Sequence, residues 1–133
     1  MLGDKVVSLI GRVQHGQKRG SEFGFPTANL VCELPEEITF GVYLSKVSVE
    51  AGEPIFALTN IGFHPTVGSS DFPLVESYLL EKTGDLYGKI IEVHLLEFLR
   101  GEKEFNSIAE LKKQISFDVE TANDLIALYK KSV

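Results

Sequence analysis

The sequence predicts a small antiparallel β-barrel over residues 5–100 and one long C-terminal helix over residues 107–131, within a single domain, 1–133. Two observations predict this architecture. Up to about residue 100 the chain is rich in glycine and β-branched residues, arranged in short runs that turn signals interrupt. From Ser107 onward, the apolar residues recur at three- and four-residue steps instead. A chain of 133 residues is long enough to bury a hydrophobic core as one domain.

Several apolar segments of the first region are typical of β-strands: KVVSLIGRV, GVYLSKVSV, PIFALTNI, LVESYLL and KIIEVHLLEFL. In the last of these, Ile91, Val93 and Leu95 share one face, and the opposite face also carries the apolar residues Ile90 and Leu96. We therefore expect part of this strand to be buried on both sides, as in a closed barrel.

The C-terminal region has the pattern of an amphipathic helix. Its apolar stripe consists of Ile108, Leu111, Ile115, Val119, Ala122, Leu125 and Leu128, and we expect this stripe to be core. Ser107 followed by Glu110 is a capping-box pattern, which predicts that the helix begins there.

The composition excludes several classes of protein. The net charge is −6, so broad attraction to nucleic acid or to an anionic membrane is not expected. The apolar runs are too short to span a bilayer. Cys32 is the single cysteine, which rules out an internal disulfide and fits a reducing, cytoplasmic location.

The segment GFPTANL places a hydroxyl and a carboxamide two residues apart, directly after a proline. Residues two apart on an extended chain point the same way, so Thr27 and Asn29 present two neutral oxygens together, while Ala28 turns away. Pro26 fixes φ just upstream. Two such oxygens suit Mg²⁺, which keeps several waters and takes further ligands from substrate phosphates. Alternatively, both side chains satisfy backbone groups in a turn.

A basic, glycine-rich segment, HGQKRGSEFGF, precedes this motif. Gly16, Gly20 and Gly24 are four residues apart, and Lys18 and Arg19 lie between them. Glycines let backbone N–H groups approach an anion closely, and the cations offset its charge. A phosphate-binding loop and a flexible hairpin loop are both consistent with this segment.

Two acidic residues in the second half of the barrel have alternative interpretations. Glu76 interrupts the apolar strand LVESYLL. It is either a solvent-facing strand residue or, if it faces a cleft, a general base. Asp85, in GDLYGK, is a turn residue or a catalytic one, and the turn is the simpler interpretation.

Six segments, in order, resemble the riboflavin kinase family, the flavokinase domain of bacterial FAD synthetases. They are GRVQHGQKRGSEFGFPTANL, GVYLSKV, LTNIGFHPTVG, VESYLLEKTGDLYGK, FLRGEKEFNSIAELKKQI and DVETA. The Pro-Thr-Ala-Asn core is the most specific of these signatures. The Leu-Arg-x-Glu-Lys-x-Phe pattern from Leu99 to Phe105 is nearly as specific.

The resemblance implies a six-stranded antiparallel Greek-key barrel with a C-terminal helix, and Mg²⁺-dependent phosphorylation of riboflavin by ATP, giving FMN and ADP. It implies that Thr27 and Asn29 contact the Mg²⁺ of the nucleotide and that Glu76 activates the 5′-hydroxyl of the ribityl chain. The residues that it assigns to nucleotide binding are Gly16, Lys18, Gly20, Ser21, Gly24, Pro26, Thr27 and Asn29. Those that it assigns to the flavin are Arg100, Lys103 and Phe105.

The chain departs from the family pattern near the expected pocket. Tyr78 stands where the family usually has the histidine of Glu-x-His, and His64 stands where bacterial members usually have arginine. Glu81 and Lys82 are also unusual. These departures leave an alternative function, a catalytically weak flavin- or nucleotide-binding regulatory module of the same fold.

The resemblance also implies an N-terminal FAD synthetase domain in a longer parent chain, because bacterial members usually carry a nucleotidyltransferase domain before the kinase. The present sequence has no His-x-Gly-His motif for nucleotidyl transfer. It is consistent with an excised domain and with a standalone kinase.

Overall fold

The computed structural model describes residues 7–14, 25–62, 73–81 and 83–131. The chain divides into two compact units, Met1–Glu102 and Lys103–Val133. The first unit contains all the described strands, and the second contains the helix. No helix in the described part of the chain is long and apolar enough to cross a membrane.

Six antiparallel strands form a single sheet in the order β1-β6-β3-β4-β5-β2. The elements are β1 Val7–Arg12, β2 Thr27–Leu30, β3 Gly41–Val49, β4 Ile55–Gly62, β5 Leu74–Leu79, β6 Ile90–Arg100 and α1 Ile108–Lys131. Strands β3, β4 and β5 pair in sequence, and β6 returns to lie beside β3. This arrangement is a Greek key, so the predicted mainly-β architecture with one C-terminal helix is confirmed.

The two ends of the sheet meet just beyond β1. The Gln14 N–H donates to the Asn29 carbonyl oxygen at 2.7 Å, which is an isolated antiparallel bridge. Next to it, the Val13 N–H donates to the Lys89 carbonyl oxygen at 2.9 Å. The sheet therefore curls so that β2, at one edge, is bonded to the extension of β1, at the other.

Alternation along the strands, interrupted by the register shifts between β3 and β6, sends one set of side chains into the core. The apolar members of this set are Leu9, Val13, Ala28, Leu30, Tyr43, Val47, Ala57, Ile61, Val75, Leu79, Leu86, Ile91, Val93 and Leu95. The opposite face of β6 is only partly buried, and Ile90 is exposed, so the expected two-sided burial of this strand is partial. The outer face is fully buried at other places, such as Leu44 and Leu58.

A chain of buried hydroxyl groups crosses the core face of three neighbouring strands. Ser77 Oγ lies 2.8 Å from Thr59 Oγ1, which lies 2.6 Å from Ser45 Oγ. Ser45 Oγ donates to the Ala57 carbonyl oxygen at 3.1 Å. Because the Ser45 proton is thus committed, Thr59 donates to Ser45, and Ser77 donates to Thr59. These hydrogen bonds join β5 to β4 and β4 to β3.

The turn between β3 and β4 contains two non-glycine residues with positive φ. These are Glu50, at φ 50°, and Ala51, at φ 60°, and the Gly52 N–H donates to the Val49 carbonyl oxygen at 2.8 Å. Two positive φ values match the right-handed twist of a hairpin. A Cβ atom makes this conformation unfavourable, so the turn is strained at both positions.

Gly41, at the start of β3, is required by both conformation and space. Its φ is 151°, and a Cβ atom there would overlap with the Arg100 carbonyl oxygen at the end of β6. The pairing of β3 with β6 shifts register directly afterwards, between Val42 and Tyr43. The glycine allows the two backbones to approach closely at this irregularity.

The second unit is organised by the start of α1. The Glu110 N–H donates to Ser107 Oγ at 3.1 Å, and the Asn106 N–H donates to Glu110 Oε2 at 2.8 Å. Ser107 therefore caps the helix as predicted, while the glutamate reaches one residue further back than in the standard box.

The predicted apolar stripe of α1 is buried only in its middle part. Leu111, Ile115 and Ala122 are buried, whereas Ile108 is 62% exposed and Leu128 is 60% exposed. The prediction that the whole stripe is core is thus wrong at its two ends. Periodicity identifies the face of a helix but not how far along that face a partner surface extends.

Thr59→Val should destabilise the protein by about 1–3 kcal/mol, because Ser77 would lose its acceptor and Ser45 its donor in the core. Chemical denaturation of both proteins measures this difference. The control is Thr83→Val, since the hydrogen bond of the Thr83 hydroxyl within the described residues goes to the exposed carbonyl oxygen of its neighbour. Equal changes in the free energy of unfolding for the two variants would contradict the proposed contribution of the buried hydroxyl groups to stability.

Ala51→Gly should raise the free energy of unfolding by about 0.5–1 kcal/mol, since glycine adopts positive φ without the penalty of a Cβ atom. The same change at Ala127, in the interior of α1, should lower it by about 1 kcal/mol. Opposite signs for one chemical change would identify strain in the turn as the cause. A destabilised Ala51→Gly variant would show that the turn is not strained.

Candidate active site

The outer face of β5 carries Glu76 and Tyr78, with the core residue Ser77 between them. The register pairs Glu76 with Asn29 of β2 on one side and with Asn60 of β4 on the other. We call Asn29, Glu76 and Asn60 the polar row. Directly paired residues of neighbouring strands lie on the same face with their Cβ atoms about 5 Å apart, so the polar row is a contiguous set.

Thr27 of β2 is paired with Tyr78 of β5, and this pair lies two residues along the strands from the pair of Asn29 and Glu76. Ala28, between Thr27 and Asn29, belongs to the core cluster of the sheet. Alternation along β2 therefore sends Thr27 and Asn29 to the side opposite the core, as the spacing in the sequence predicts.

Burial decides between the two interpretations of Glu76. Its side chain is only 1% exposed, so the solvent-facing alternative is wrong. Thr27 and Asn29 are buried as well. Carboxylates are rarely buried to this degree unless they are paired, so the burial of Glu76 calls for a structural or functional explanation.

Only one oxygen of Glu76 has a hydrogen-bond partner in the described part of the chain. The Tyr78 hydroxyl donates to Glu76 Oε1 at 2.8 Å. Glu76 Oε2, Asn29 Nδ2 and Asn60 Oδ1 are buried and have no partner among the described residues. All three of these atoms belong to the polar row.

These three buried polar atoms, which lack a partner among the described residues, are chemically complementary to a hydroxyl ligand. Each such atom costs about 1–3 kcal/mol when it stays unsatisfied, and their concentration at one place is typical of a functional site. A hydroxyl group can donate to Glu76 Oε2 and accept from Asn29 Nδ2 at the same time. Asn60 Oδ1 can accept a further proton from a ligand.

The donor set of Thr27 and Asn29 fits a hard cation such as Mg²⁺. Thr27 Oγ1 donates its proton to the Phe25 carbonyl oxygen at 3.1 Å, which leaves the oxygen lone pairs free for a ligand. The turn alternative is therefore right in one respect, since this threonine does bond a nearby backbone group. Asn29 lies within a strand, and its carboxamide supplies an oxygen of the kind that Mg²⁺ prefers.

Lys103 and Phe105, two of the residues predicted to contact a flavin, line one cavity of the second unit. It has a volume of about 600 Å³ and is bounded by Lys103, Glu104, Phe105, Asn106, Glu110, Lys113, Gln114 and Phe117. Lys103 Nζ donates to Gln114 Oε1 at 3.2 Å, so its ammonium lies at the cavity wall. The third such residue, Arg100, is the last residue of β6.

The remaining predicted positions are distributed as follows. The nucleotide-binding residues Gly16, Lys18, Gly20, Ser21 and Gly24 lie outside the described residues, as do His64 and Lys82. The carbonyl oxygen of Pro26 accepts the Leu79 N–H at 2.9 Å, which continues the pairing of β2 with β5. Asp85 Oδ1 accepts the Tyr87 N–H at 3.1 Å, so Asp85 is the turn residue that the simpler interpretation predicts.

Asn60 is the site residue that the sequence reasoning missed. It lies at the end of an apolar run, in FALTNIG, and a carboxamide within an apolar strand is the signal that could have identified it. Asn60 lies beside Glu76 because of the register between β4 and β5, and the local sequence does not reveal this register.

The fold and the site together define a Greek-key barrel with a buried carboxylate beside a Thr-x-Asn pair. A family model described as "Flavokinase: Riboflavin kinase" matches residues 4–126. The chain therefore belongs to the riboflavin kinase family.

Curated relatives agree with this assignment. The chain is 38% identical over 122 residues to the bifunctional riboflavin kinase/FMN adenylyltransferase of Haemophilus influenzae. It is 39% identical over 123 residues to the protein of the same name from Escherichia coli K12. Each match covers 92% of this chain but only 39% of the relative, so the chain spans about two fifths of the length of these relatives.

Solved structures show the same fold. A riboflavin kinase from Trypanosoma brucei superimposes with a TM-score of 0.66 and 25% identity, over 92% of this chain and 78% of that chain. A protein described as a macrolide-efflux protein from Streptococcus pneumoniae superimposes with a TM-score of 0.73 and 28% identity. That match covers 87% of this chain and 38% of the other.

Proposed function

We propose that this chain transfers the terminal phosphoryl group of ATP to the 5′-hydroxyl of riboflavin, giving FMN and ADP. The observation that carries the proposal is the buried Glu76, whose Oε2 is unpaired within the described residues and lies in the polar row next to Thr27 and Asn29. A flavin-binding module without turnover has no need of a buried base. Membership of the riboflavin kinase family and the riboflavin kinase fold support the same function.

Glu76 acts as the general base in this proposal. The riboflavin hydroxyl donates to Glu76 Oε2, and its oxygen attacks the terminal phosphorus of ATP. As the new P–O bond forms, the bond to the bridging oxygen of ATP breaks, ADP leaves, and the hydroxyl proton passes to Glu76. Phosphoryl transfer depends on alignment more than on covalent help, so a carboxylate held at a fixed position in the sheet is well suited to this step.

Thr27 and Asn29 would hold the Mg²⁺ of the nucleotide. Mg²⁺ bound there would neutralise charge on the phosphate oxygens. The protein contributes two neutral oxygens from a strand that is paired on one side with β5 and bridged on the other to Gln14. Gly16, Lys18, Gly20, Ser21, Gly24 and Pro26 are proposed to border the same nucleotide.

The flavin is proposed to contact Arg100, Lys103 and Phe105. The cavity that Lys103 and Phe105 line has aromatic walls from Phe105 and Phe117 and polar groups from Lys103 and Gln114. Aromatic side chains stack on planar ring systems, and an ammonium group donates to ring carbonyl oxygens. A cavity of about 600 Å³ is in the size range of ligand-binding pockets.

We place the reaction in the cytoplasm, since the single cysteine suits a reducing compartment. Burial raises the pKa of the Cys32 thiol, which disfavours the reactive thiolate form. No nucleic acid or membrane partner is proposed. A longer parent chain with an N-terminal FAD synthetase domain would receive the FMN that this domain makes, as the bifunctional name of the relatives suggests.

A direct assay tests the proposed function. The protein is incubated with riboflavin, ATP and Mg²⁺, and FMN and ADP are separated by chromatography. Equal amounts of FMN and ADP are expected. Flavin binding without FMN would instead establish the regulatory module.

Glu76→Gln should lower the single-turnover rate of FMN formation by about a hundredfold or more, because the amide cannot accept the proton. Riboflavin affinity, measured by flavin fluorescence, should change little, since the lost interaction belongs to the transition state. The control is Glu92→Gln, a strand glutamate whose carboxylate faces His94 at 3.5 Å. An unchanged rate in Glu76→Gln would remove this residue from the mechanism.

Thr27→Ala and Asn29→Ala should each weaken Mg²⁺-dependent ADP binding by roughly tenfold or more, with little change in ADP binding in the presence of a chelator. Calorimetry with and without Mg²⁺ measures the difference. Asn123→Ala, at an exposed position of α1, is the matched control. If the variants and the control bind Mg²⁺ and ADP equally, the metal assignment fails.

A further inference from the structure

We propose that Tyr78 is a positioning residue, which holds one oxygen of Glu76 so that the other receives the proton of the substrate. This inference rests on the proposed function. It assigns a role to the tyrosine that replaces the usual histidine of the family pattern.

The geometry of β5 brings the two side chains together. Residues two apart on a strand point to the same face, and a tyrosine side chain is long enough to reach back to its neighbour. The Tyr78 hydroxyl donates to Glu76 Oε1 at 2.8 Å, a distance typical of a hydrogen bond to a carboxylate. Glu76 Oε2 is unpaired within the described part of the chain. The two oxygens of one carboxylate therefore have different roles.

The backbone behind this pair is fixed independently. Ser77, between Glu76 and Tyr78, points to the core and donates to Thr59 Oγ1 at 2.8 Å. On the outer face, Tyr78 is directly paired with Thr27 and Leu58. The backbone that carries the phenol and the carboxylate is thus paired on both sides, and the hydrogen bond to the Tyr78 hydroxyl fixes Oε1 on the side away from the unpaired Oε2.

The test compares Tyr78→Phe with the wild-type protein in two measurements. The first is steady-state FMN formation at saturating ATP and Mg²⁺, which gives kcat and KM for riboflavin separately. The second is riboflavin affinity, measured by flavin fluorescence. Tyr43→Phe is the control, because it removes another buried phenol hydroxyl, which donates to the Thr39 carbonyl oxygen.

For Tyr78→Phe we expect kcat to fall about tenfold, with KM and the affinity for riboflavin within about twofold. Tyr43→Phe should lower the melting temperature and leave kcat and KM in place. If Tyr78→Phe does not fold, p-methylphenylalanine at position 78 keeps the shape of the tyrosine without its donor and should give the same fall in kcat.

Two results would overturn the inference. An unchanged kcat in the folded variant would show that the hydrogen bond has no part in the reaction, and an equal loss of riboflavin affinity would show that Tyr78 acts on flavin binding instead. A wild-type protein that makes no FMN would contradict the proposed function itself. A wild-type protein that makes FMN, beside a variant that makes it equally fast, would contradict this inference alone.

Discussion

The pairing of β5 with β2 on one side and β4 on the other is the constraint on which the site depends. In this register Val75 and Leu79 enter the core, while Glu76 and Tyr78 face away from it. A slip by one residue would exchange the two faces and send the carboxylate into the hydrophobic core. Ser77 strengthens the register, because its hydroxyl finds an acceptor on Thr59 only when the strands are aligned in this way. Packing and polar contacts thus specify the same alignment.

The site is held in a state that is locally unfavourable. A buried carboxylate oxygen and two buried carboxamide atoms lack partners among the described residues. The core of the sheet, with its apolar side chains and its satisfied hydroxyl chain, supplies the stability that offsets this cost. Satisfied polar groups on one face of β5 and unsatisfied ones on the other show how a strand can serve both stability and binding. Natural proteins accept such conflicts where function needs them.

Local pattern was sufficient for much of this structure. Alternation predicts that Thr27 and Asn29 share a face with Ala28 turned away, and the change of period predicts α1 and its Ser107 cap. What local pattern does not contain is non-local pairing. Asn60 lies next to Glu76 because of the register between β4 and β5, two strands that are separated by a long connection. The exposed ends of the α1 stripe were missed for a similar reason, since periodicity does not state the extent of burial.

The contact of Tyr78 with Glu76 lies between these two cases. The residues are two apart in sequence, so their shared face is predictable, but the hydrogen bond depends on the rotamers of both side chains. From the sequence alone, Tyr78 is only a departure from a family pattern. In the structure, it is a donor to the proposed base.

The bridge between Gln14 and Asn29 closes the barrel next to the proposed site, and we call this closure the seam. Elsewhere the strands are joined by ladders of several paired residues, whereas here, within the residues that the structure describes, one backbone hydrogen bond accompanies one bridge. Asn29 uses its main chain to close this seam and its side chain for the proposed metal. If the proposed complex forms on the Asn29 side chain only while the seam is closed, thermodynamic linkage requires that nucleotide binding and closure of the seam stabilise each other.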